Sequence, residues 1–270
     1  MNGQAGQQIN AVKIVGTGLI GTSIGLALAQ QGVSITIYDA DEKALALAKD
    51  LLAPYLKVSG EGRKEYDLVV IATPPASVIG ALKSEFVINP KSVFIDVSSV
   101  KTNLIQEIEA LPVLSRSFVG THPMAGREVS GASSAQADLF NGRAWILTPT
   151  SNSSERAIAI AKQLVEALGA SSYEMTAKDH DHLMARISHL PQIASTLIAS
   201  EIQELGAGLE LSGQGLRDMT RIAGSDPLLW SEILLENKKE VINTLDQFIS
   251  RALALKGAIS DSKQDEIEAI

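Results

Sequence analysis

Two hydrophobic periods alternate along the first two-thirds of the chain. Residues 12–15, 34–38, 68–72, 93–97, 118–119, 145–147 and 171–175 are short apolar or β-branched runs, which predict strands. Between most of them lie segments with helical spacing, among them residues 19–31, 40–52, 101–110 and 154–168. The first ends at Gly32, the residue type suited to the left-handed backbone of a helix C-cap. Strands that are apolar almost throughout bury both faces, so the alternation predicts an α/β domain with a mostly parallel sheet covered on both sides. From Thr176 the pattern is helical, with segments near 177–205, 215–223 and 227–256 and a charged end from Ser260. The expected organisation is an α/β domain over residues 10–176 and an all-helical domain over 177–270.

Residues 14–38 run for 25 positions without a formal charge, long enough to span a bilayer. Five glycines, paired Gln30 and Gln31 and several Ser and Thr make a strand–turn–helix the better explanation. Residues 1–10 are polar and Gln-rich, with no basic segment before an apolar core, and read as a frayed tail. The expected product is soluble and cytoplasmic, without a membrane segment.

Composition narrows the chemistry. Of 270 residues, 45% are hydrophobic and 20% charged, the balance of a folded soluble protein with enough chain to bury a core. The absence of cysteine excludes disulfide scaffolds, thiol nucleophiles and thiolate metal sites. With 23 basic and 31 acidic residues the net charge is −8, which argues against sequence-independent nucleic-acid binding. An anionic substrate requires cations gathered locally against that sign.

Gly16-Thr-Gly18-Leu19-Ile20-Gly21 follows the first predicted strand directly and opens the first helix. In that context the three glycines have separate tasks: a tight turn, close approach of a pyrophosphate, and close helix–strand packing. The helix N-terminus, at Leu19 and Ile20, offers unpaired N–H groups and partial positive charge to phosphates. Asp39 ends the second strand 18 residues after Gly21, where a carboxylate accepts hydrogen bonds from a ribose and repels a 2′-phosphate. Asp41 adds to the repulsion and no Arg or Lys follows before Lys43, so NAD is favoured over NADP. Thr73 and Pro74 end another apolar strand and are expected to border the cofactor. A Rossmann-type, doubly wound domain is therefore expected.

Asp96-Val-Ser98-Ser99-Val-Lys101 and Gly120-Thr-His122-Pro-Met-Ala-Gly126 each follow a later strand, on the same sheet edge. Beside a nicotinamide, a histidine there can act as general base on a substrate hydroxyl. Ser99 is placed to orient His122 or to bind the carboxamide, with Ser98 assigned to the cofactor and Lys101 to the substrate.

These segments, with Leu147-Thr-Pro-Thr150, Ser188-His189-Leu-Pro191 and Arg217-Asp-Met-Thr-Arg221, occur in an order that resembles the prephenate/arogenate dehydrogenases of tyrosine biosynthesis. The resemblance covers about residues 12–256. It implies a nucleotide domain followed by a dimerising helical domain, an active site between them, and NAD-dependent oxidative decarboxylation of prephenate or arogenate. It makes His122 the catalytic group and Ser99 its aligner. It also gives Arg221 a substrate carboxylate, Glu128 the pocket entrance and Trp230 the pocket wall. Some prephenate-using members carry a histidine where this chain has Gln192, so the contact with the substrate's side chain differs here.

The helical half carries its own signals. His182, Arg186 and His189 fall at i, i+4 and i+7, beside an apolar stripe of Leu183, Ile187, Leu190 and Leu197. Pro191 is expected to interrupt this helix and release a carbonyl near His189, which then reaches the substrate. His180 and His182, flanked by Asp179 and Asp181, read as a solvated helix start, and a metal is not expected. Arg217 and Arg221 can grip a carboxylate through paired hydrogen bonds, with Asp218 fixing one of them. Residues 236–240 read as a solvated helix face, and the apolar helices 193–205 and 228–249 predict a homodimer.

Rival readings are a β-hydroxyacid-type dehydrogenase, which relies on a lysine in its helical domain, and a non-catalytic dinucleotide sensor. Neither explains His122 with Arg221. With the chain ending soon after the helical domain, any feedback by tyrosine is expected to act at the active site.

Overall fold

The structure, a computed structural model, describes residues 9–55, 65–125 and 131–270. They group into two compact units, one of residues 1–180 with 226–233 and the other of 181–225 with 234–270. The return of 226–233 to the first unit has no mark in the hydrophobic pattern.

The first unit is built on a seven-stranded sheet in the order β2-β1-β3-β4-β5-β6-β7. Its strands are β1 (Ala11–Val15), β2 (Ser34–Tyr38), β3 (Leu68–Ile71), β4 (Val93–Asp96), β5 (Phe118–Pro123), β6 (Ala144–Pro149) and β7 (Ser171–Glu174). The helices α1 (Leu19–Gln30), α2 (Glu42–Leu52), α3 (Val78–Ile88), α4 (Thr102–Glu109), α5 (Pro112–Ser117) and α6 (Glu155–Ala167) connect them. Strands β1 to β5 run parallel, whereas β6 pairs antiparallel with β5 and carries β7 parallel to itself. The reversal follows from the connection: no α-helix lies between β5 and β6 among the described residues, and an antiparallel neighbour needs no crossover helix.

Alternate side chains along the central strands fill two cores. Val12, Ile14, Leu68, Val70 and Ile95 pack with α1 and α6 through Ile24, Leu28, Ile160 and Leu164. Val15, Val69, Ile71 and Phe94 pack on the other face with α3, α4 and α5 through Leu82, Ile108 and Leu114. Burial on both faces is the physical reason β3 reads as an unbroken apolar run.

The register sets the functional edge. Tyr38, Val15, Ile71 and Asp96 are successive partners across β2, β1, β3 and β4, so these strands finish in one row. Asp39, Gly16 and Ala72 each follow directly on that row. β5 pairs with β4 only through Phe118 and Val119, then continues against β6, where His122 lies opposite Ile146. The strand expected at 118–119 is thus longer than its apolar run, because an antiparallel partner supports its polar half.

The helical remainder comprises α7 (Ala177–Met184), α8 (Leu190–Ile202), α9 (Gln214–Thr220), α10 (Pro227–Glu236), α11 (Lys238–Ser260) and α12 (Gln264–Glu268). The boundary between the units falls inside α7. Residues Ala185–His189 form a π-helical turn before Pro191. This is the expected interruption: proline lacks the N–H that continues the ladder, and a widened turn accommodates the loss. The turn also rotates the helix faces, so His189 is buried and Arg186 exposed, which corrects the expectation that they share a face. The expected apolar stripe is mostly open in the single chain, with Leu183, Ile187 and Leu197 exposed, as are Ile242, Phe248 and Leu253 on α11. No helix among the described residues is long and apolar enough to cross a membrane.

Candidate active site

The glycine loop takes the form its sequence predicts. Gly16 has φ +102°, and a Cβ there would lie 2.3 Å from the Ala72 carbonyl oxygen. A Cβ on Gly21 would lie 2.0 Å from the Gly16 carbonyl oxygen, so this glycine lets α1 pack against the turn. Gly18 differs: a Cβ there meets nothing within 4 Å. The space beside the N-terminus of α1 is therefore open, and no side chain caps the helix there. Open space, uncapped N–H groups and the helix dipole suit a phosphate.

Asp39 is bound to this loop. Its Oδ2 accepts hydrogen bonds from the Thr17 N–H at 2.6 Å and the Thr17 hydroxyl at 2.8 Å, and Oδ1 accepts from the Asp41 N–H at 2.9 Å. Partial burial works to raise the pKa of Asp39, but N–H groups of Asp41, Thr17 and Ala40 and the Thr17 hydroxyl together hold it below its ordinary value. The ionised form is thus favoured by folding, and its contribution is lost only as pH falls through the lowered value. Asp41 caps α2 by accepting from the Lys43 and Ala44 N–H groups. Asp39→Asn is expected to loosen the loop and to narrow discrimination between NAD and NADP, measured as the ratio of the two dissociation constants. An unchanged ratio would remove Asp39 from cofactor choice.

At the end of β3, the Thr73 hydroxyl is buried and has no hydrogen-bond partner. A buried hydroxyl in that state is costly unless a ligand completes it. Open space at Gly18, the α1 N-terminus, Asp39 and Thr73 on one edge form a donor and acceptor set that fits a dinucleotide.

Next along the edge is a buried ionic frame. Asp96 and Lys101 have fully buried side chains and form a direct ion pair. The Asp96 carboxylate also accepts from the Ser98 hydroxyl, the Ser98 N–H at 2.9 Å and the Thr121 N–H at 3.2 Å. The Thr121 hydroxyl donates to the Asp96 carbonyl at 2.5 Å. This network corrects two expectations. Lys101 lies inside and is held by Asp96 and the Ser98 hydroxyl, rather than presented to a substrate. The Ser98 hydroxyl is likewise engaged in the frame rather than offered to a cofactor. Ser99, half-buried, has no hydrogen-bond partner among the described residues.

His122, next to Thr121 and half-buried, is placed by that frame two residues beyond the level at which β4 ends. Its Nδ1 lies 2.9 Å from His180 Nε2. His180 is 0% exposed, which corrects its reading as part of a solvated helix start. His182, by contrast, is 45% exposed and has its Nδ1 2.9 Å from Glu240. The missed signal is spacing: His180 and Met184 stand at i and i+4 and share the buried face of α7, which the surrounding charges obscure.

In the second unit, His189 is buried and its Nδ1 lies 3.2 Å from the Asn237 side-chain amide, which donates to the Asp181 carbonyl at 2.8 Å. Asn237 is buried and breaks α10 from α11, so residues 236–240 are not simply a solvated face. The buried Gln192 donates to the Ile222 carbonyl at 2.9 Å, steadying the turn that begins at Arg221. Arg217 and Arg221 are exposed. Asp218 accepts from Gln214 at 2.8 Å rather than pairing with an arginine, which corrects that expectation. Trp230 is half-buried on α10, Pro74 is exposed, and Glu128 lies outside the described residues.

Residues 24–174 match the family model described as prephenate dehydrogenase, nucleotide-binding domain, and residues 176–270 match its dimerization domain. The chain belongs to the prephenate dehydrogenase family. Curated relatives include a probable prephenate dehydrogenase, NovF, of Streptomyces niveus, 36% identical over 89% of this chain and 66% of its own length. The cyclohexadienyl dehydrogenase of Zymomonas mobilis is 32% identical over 94% of this chain and 90% of its own. The chain thus spans about two-thirds of the first relative and most of the second. Among solved structures, prephenate dehydrogenase from A. aeolicus in complex with hydroxyphenyl propionate and NAD+ is 28% identical. It superposes with a TM-score of 0.85 over 97% of this chain and 94% of its own. Synechocystis arogenate dehydrogenase, 26% identical, gives 0.80 over 96% and 95%.

Proposed function

We propose that this chain is a cytoplasmic, homodimeric NAD-dependent dehydrogenase that converts prephenate to 4-hydroxyphenylpyruvate by oxidative decarboxylation. The observation that carries the reading is the placement of His122. It stands just past the row of strand ends from which the glycine loop, Asp39 and Thr73 emerge. The relatives' names and the NAD+ complex of the A. aeolicus enzyme support it. The exposed apolar residues on α8 and α11, in the region matched to a dimerization domain, support association of two copies.

The residues that would hold the dinucleotide are Gly16, Gly18, Leu19, Ile20 and Gly21 at the phosphates, Asp39 at the ribose, and Thr73 and Pro74 alongside. Bound there, the nicotinamide supplies the hydride acceptor. His122 receives the proton of the C4 hydroxyl as hydrogen leaves that carbon with its electron pair. The electrons of the breaking carboxylate bond flow into the ring as CO2 departs. His122 then returns the proton to the phenolic oxygen, so the protein gains none. Aromatisation supplies most of the driving force, which leaves orientation and charge stabilisation to the protein. Ser99 orients the carboxamide or the imidazole, and His189, Gln192, Arg217 and Trp230 border the substrate, with Glu128 at the entrance.

Arg221 is assigned a substrate carboxylate. Charged hydrogen bonds contribute about 1.5–3 kcal/mol each, so Arg221→Ala is expected to raise KM by on the order of 10–100-fold with a smaller change in kcat. An unaltered KM would show that the guanidinium holds no part of the substrate. Arogenate is the second reading, favoured by Gln192 where some prephenate-using members carry histidine and by the Synechocystis neighbour. Initial rates with prephenate and arogenate, each with NAD and NADP, test both. Faster turnover of prephenate with NAD is expected, and preference for arogenate would move the assignment to the second reading.

A further inference from the structure

A second histidine supports the first, and the mechanism above gives it no task. His122 Nδ1 and His180 Nε2 are 2.9 Å apart, with the ring centroids 5.1 Å apart and the planes at 64°, an edge-to-face arrangement. Two ring nitrogens at this separation share one proton, so one must donate and the other accept. A neutral imidazole that takes a proton at Nε2 carries its own proton on Nδ1. For His122 to act as base, its Nδ1–H must therefore donate to His180 Nε2, and His180 must hold its proton on Nδ1.

We propose that His180 is the positioning residue for His122, fixing its tautomer and ring orientation through this hydrogen bond. The proposal rests on the reading of His122 as the proton acceptor. His180 is suited to the task because it is itself immobilised. It is fully buried at the fourth position of α7, its N–H donates to the Thr176 carbonyl at 2.9 Å, and the Thr102 hydroxyl donates to the Ala177 carbonyl at 3.3 Å. Thr102 follows Lys101, so the segment that carries the ionic frame also anchors the helix that carries His180. A carboxylate in this position would hold His122 as an imidazolium more strongly. A neutral imidazole acceptor fixes the tautomer without adding negative charge where the substrate is already anionic. When His122 takes the hydroxyl proton, its Nδ1–H bond to His180 becomes charge-assisted and strengthens, which stabilises the charge that develops. Ser99 is then available to the cofactor's carboxamide.

The test compares His180→Leu with His180→Gln in the full chain. The glutamine amide reaches about as far as Nε2 and can accept from the His122 Nδ1–H, whereas leucine cannot. His180→Leu is expected to lower kcat by about 10–100-fold, by analogy with losing the partner that orients a metal-bound histidine. His180→Gln is expected to restore most of that loss, with KM and NAD binding, followed by fluorescence, unchanged in both. Side-chain 15N NMR of the protein without ligands gives a readout separate from turnover. His122 is expected as a single Nδ1–H tautomer in the unaltered chain and as a tautomer mixture in His180→Leu. Equal kcat for the two variants, or a His122 proton resident on Nε2 in the unaltered chain, would overturn the proposal. If His180→Leu fails to fold, the tautomer of the unaltered chain and the kcat of His180→Gln still decide it. If His122→Asn keeps full activity, the reading of the base fails instead, and the NMR result judges the hydrogen bond by itself.

Discussion

Replacing His122 with asparagine is expected to lower kcat by on the order of 10²–10⁴, the range for losing a general base, while leaving NAD binding and the folding midpoint nearly unchanged. Asparagine suits this test because its side-chain amide can occupy the position of Nδ1 and still donate to His180 Nε2. The substitution therefore removes the proton-accepting nitrogen and retains the packing at β5. The register opposite Ile146 is set by the backbone and should survive. KM should change little, because the substrate's anionic groups are assigned to other residues. Steady-state rates beside a fluorescence titration with NAD separate the outcomes. Unchanged kcat would remove His122 from the chemistry, and loss of NAD binding would mean that the substitution had disturbed the sheet edge instead.

The largest expected effect on stability belongs to Asp96. Its carboxylate lies against Lys101, whose side chain is fully buried, and it also receives the Ser98 and Thr121 N–H groups. Asp96→Ala leaves an ammonium inside the protein without its counter-charge. Breaking one side of a buried ion pair costs about 3–5 kcal/mol, a large part of the 5–15 kcal/mol that holds a typical domain folded. Urea denaturation should show the loss as a lower midpoint. The double change Asp96→Ala with Lys101→Met should recover much of it, because the uncompensated charge is removed with its partner. A loss below about 1 kcal/mol in the single variant would mean that Lys101 reaches solvent and that the frame is not what sets Thr121 and His122 in place.

The parts of the fold set by local chemistry were legible in the sequence. Strands 12–15 and 68–72 could be read because both their faces are buried, strand 34–38, a half-buried edge strand, from its β-branched run, and the glycine loop because three spacings each answer a steric demand. The second half of β5 was not legible. Its residues, Gly120 to Pro123, owe their extended form to pairing with β6, a partner far along the chain that leaves no local pattern. His180 was misread for a related reason. A histidine between two aspartates looks solvated until the packing around it is known, although its i, i+4 relation to Met184 marked the buried face. Lys101 and Ser98 resemble ligand contacts in sequence, and only the arrangement around Asp96 assigns them to the frame. Asn237 falls in a run of charges and is nonetheless the residue that holds His189. In each case a polar side chain is buried because another polar side chain satisfies it, a relation that single-sequence periodicity does not record.

Stoichiometry gives the most direct test of oxidative decarboxylation by this chain. Purified protein incubated with prephenate and NAD is expected to release CO2, NADH and 4-hydroxyphenylpyruvate in equal amounts. NADH formed without CO2 would contradict it, since a dehydrogenase that only oxidises a hydroxyl would leave the ring carboxylate in place.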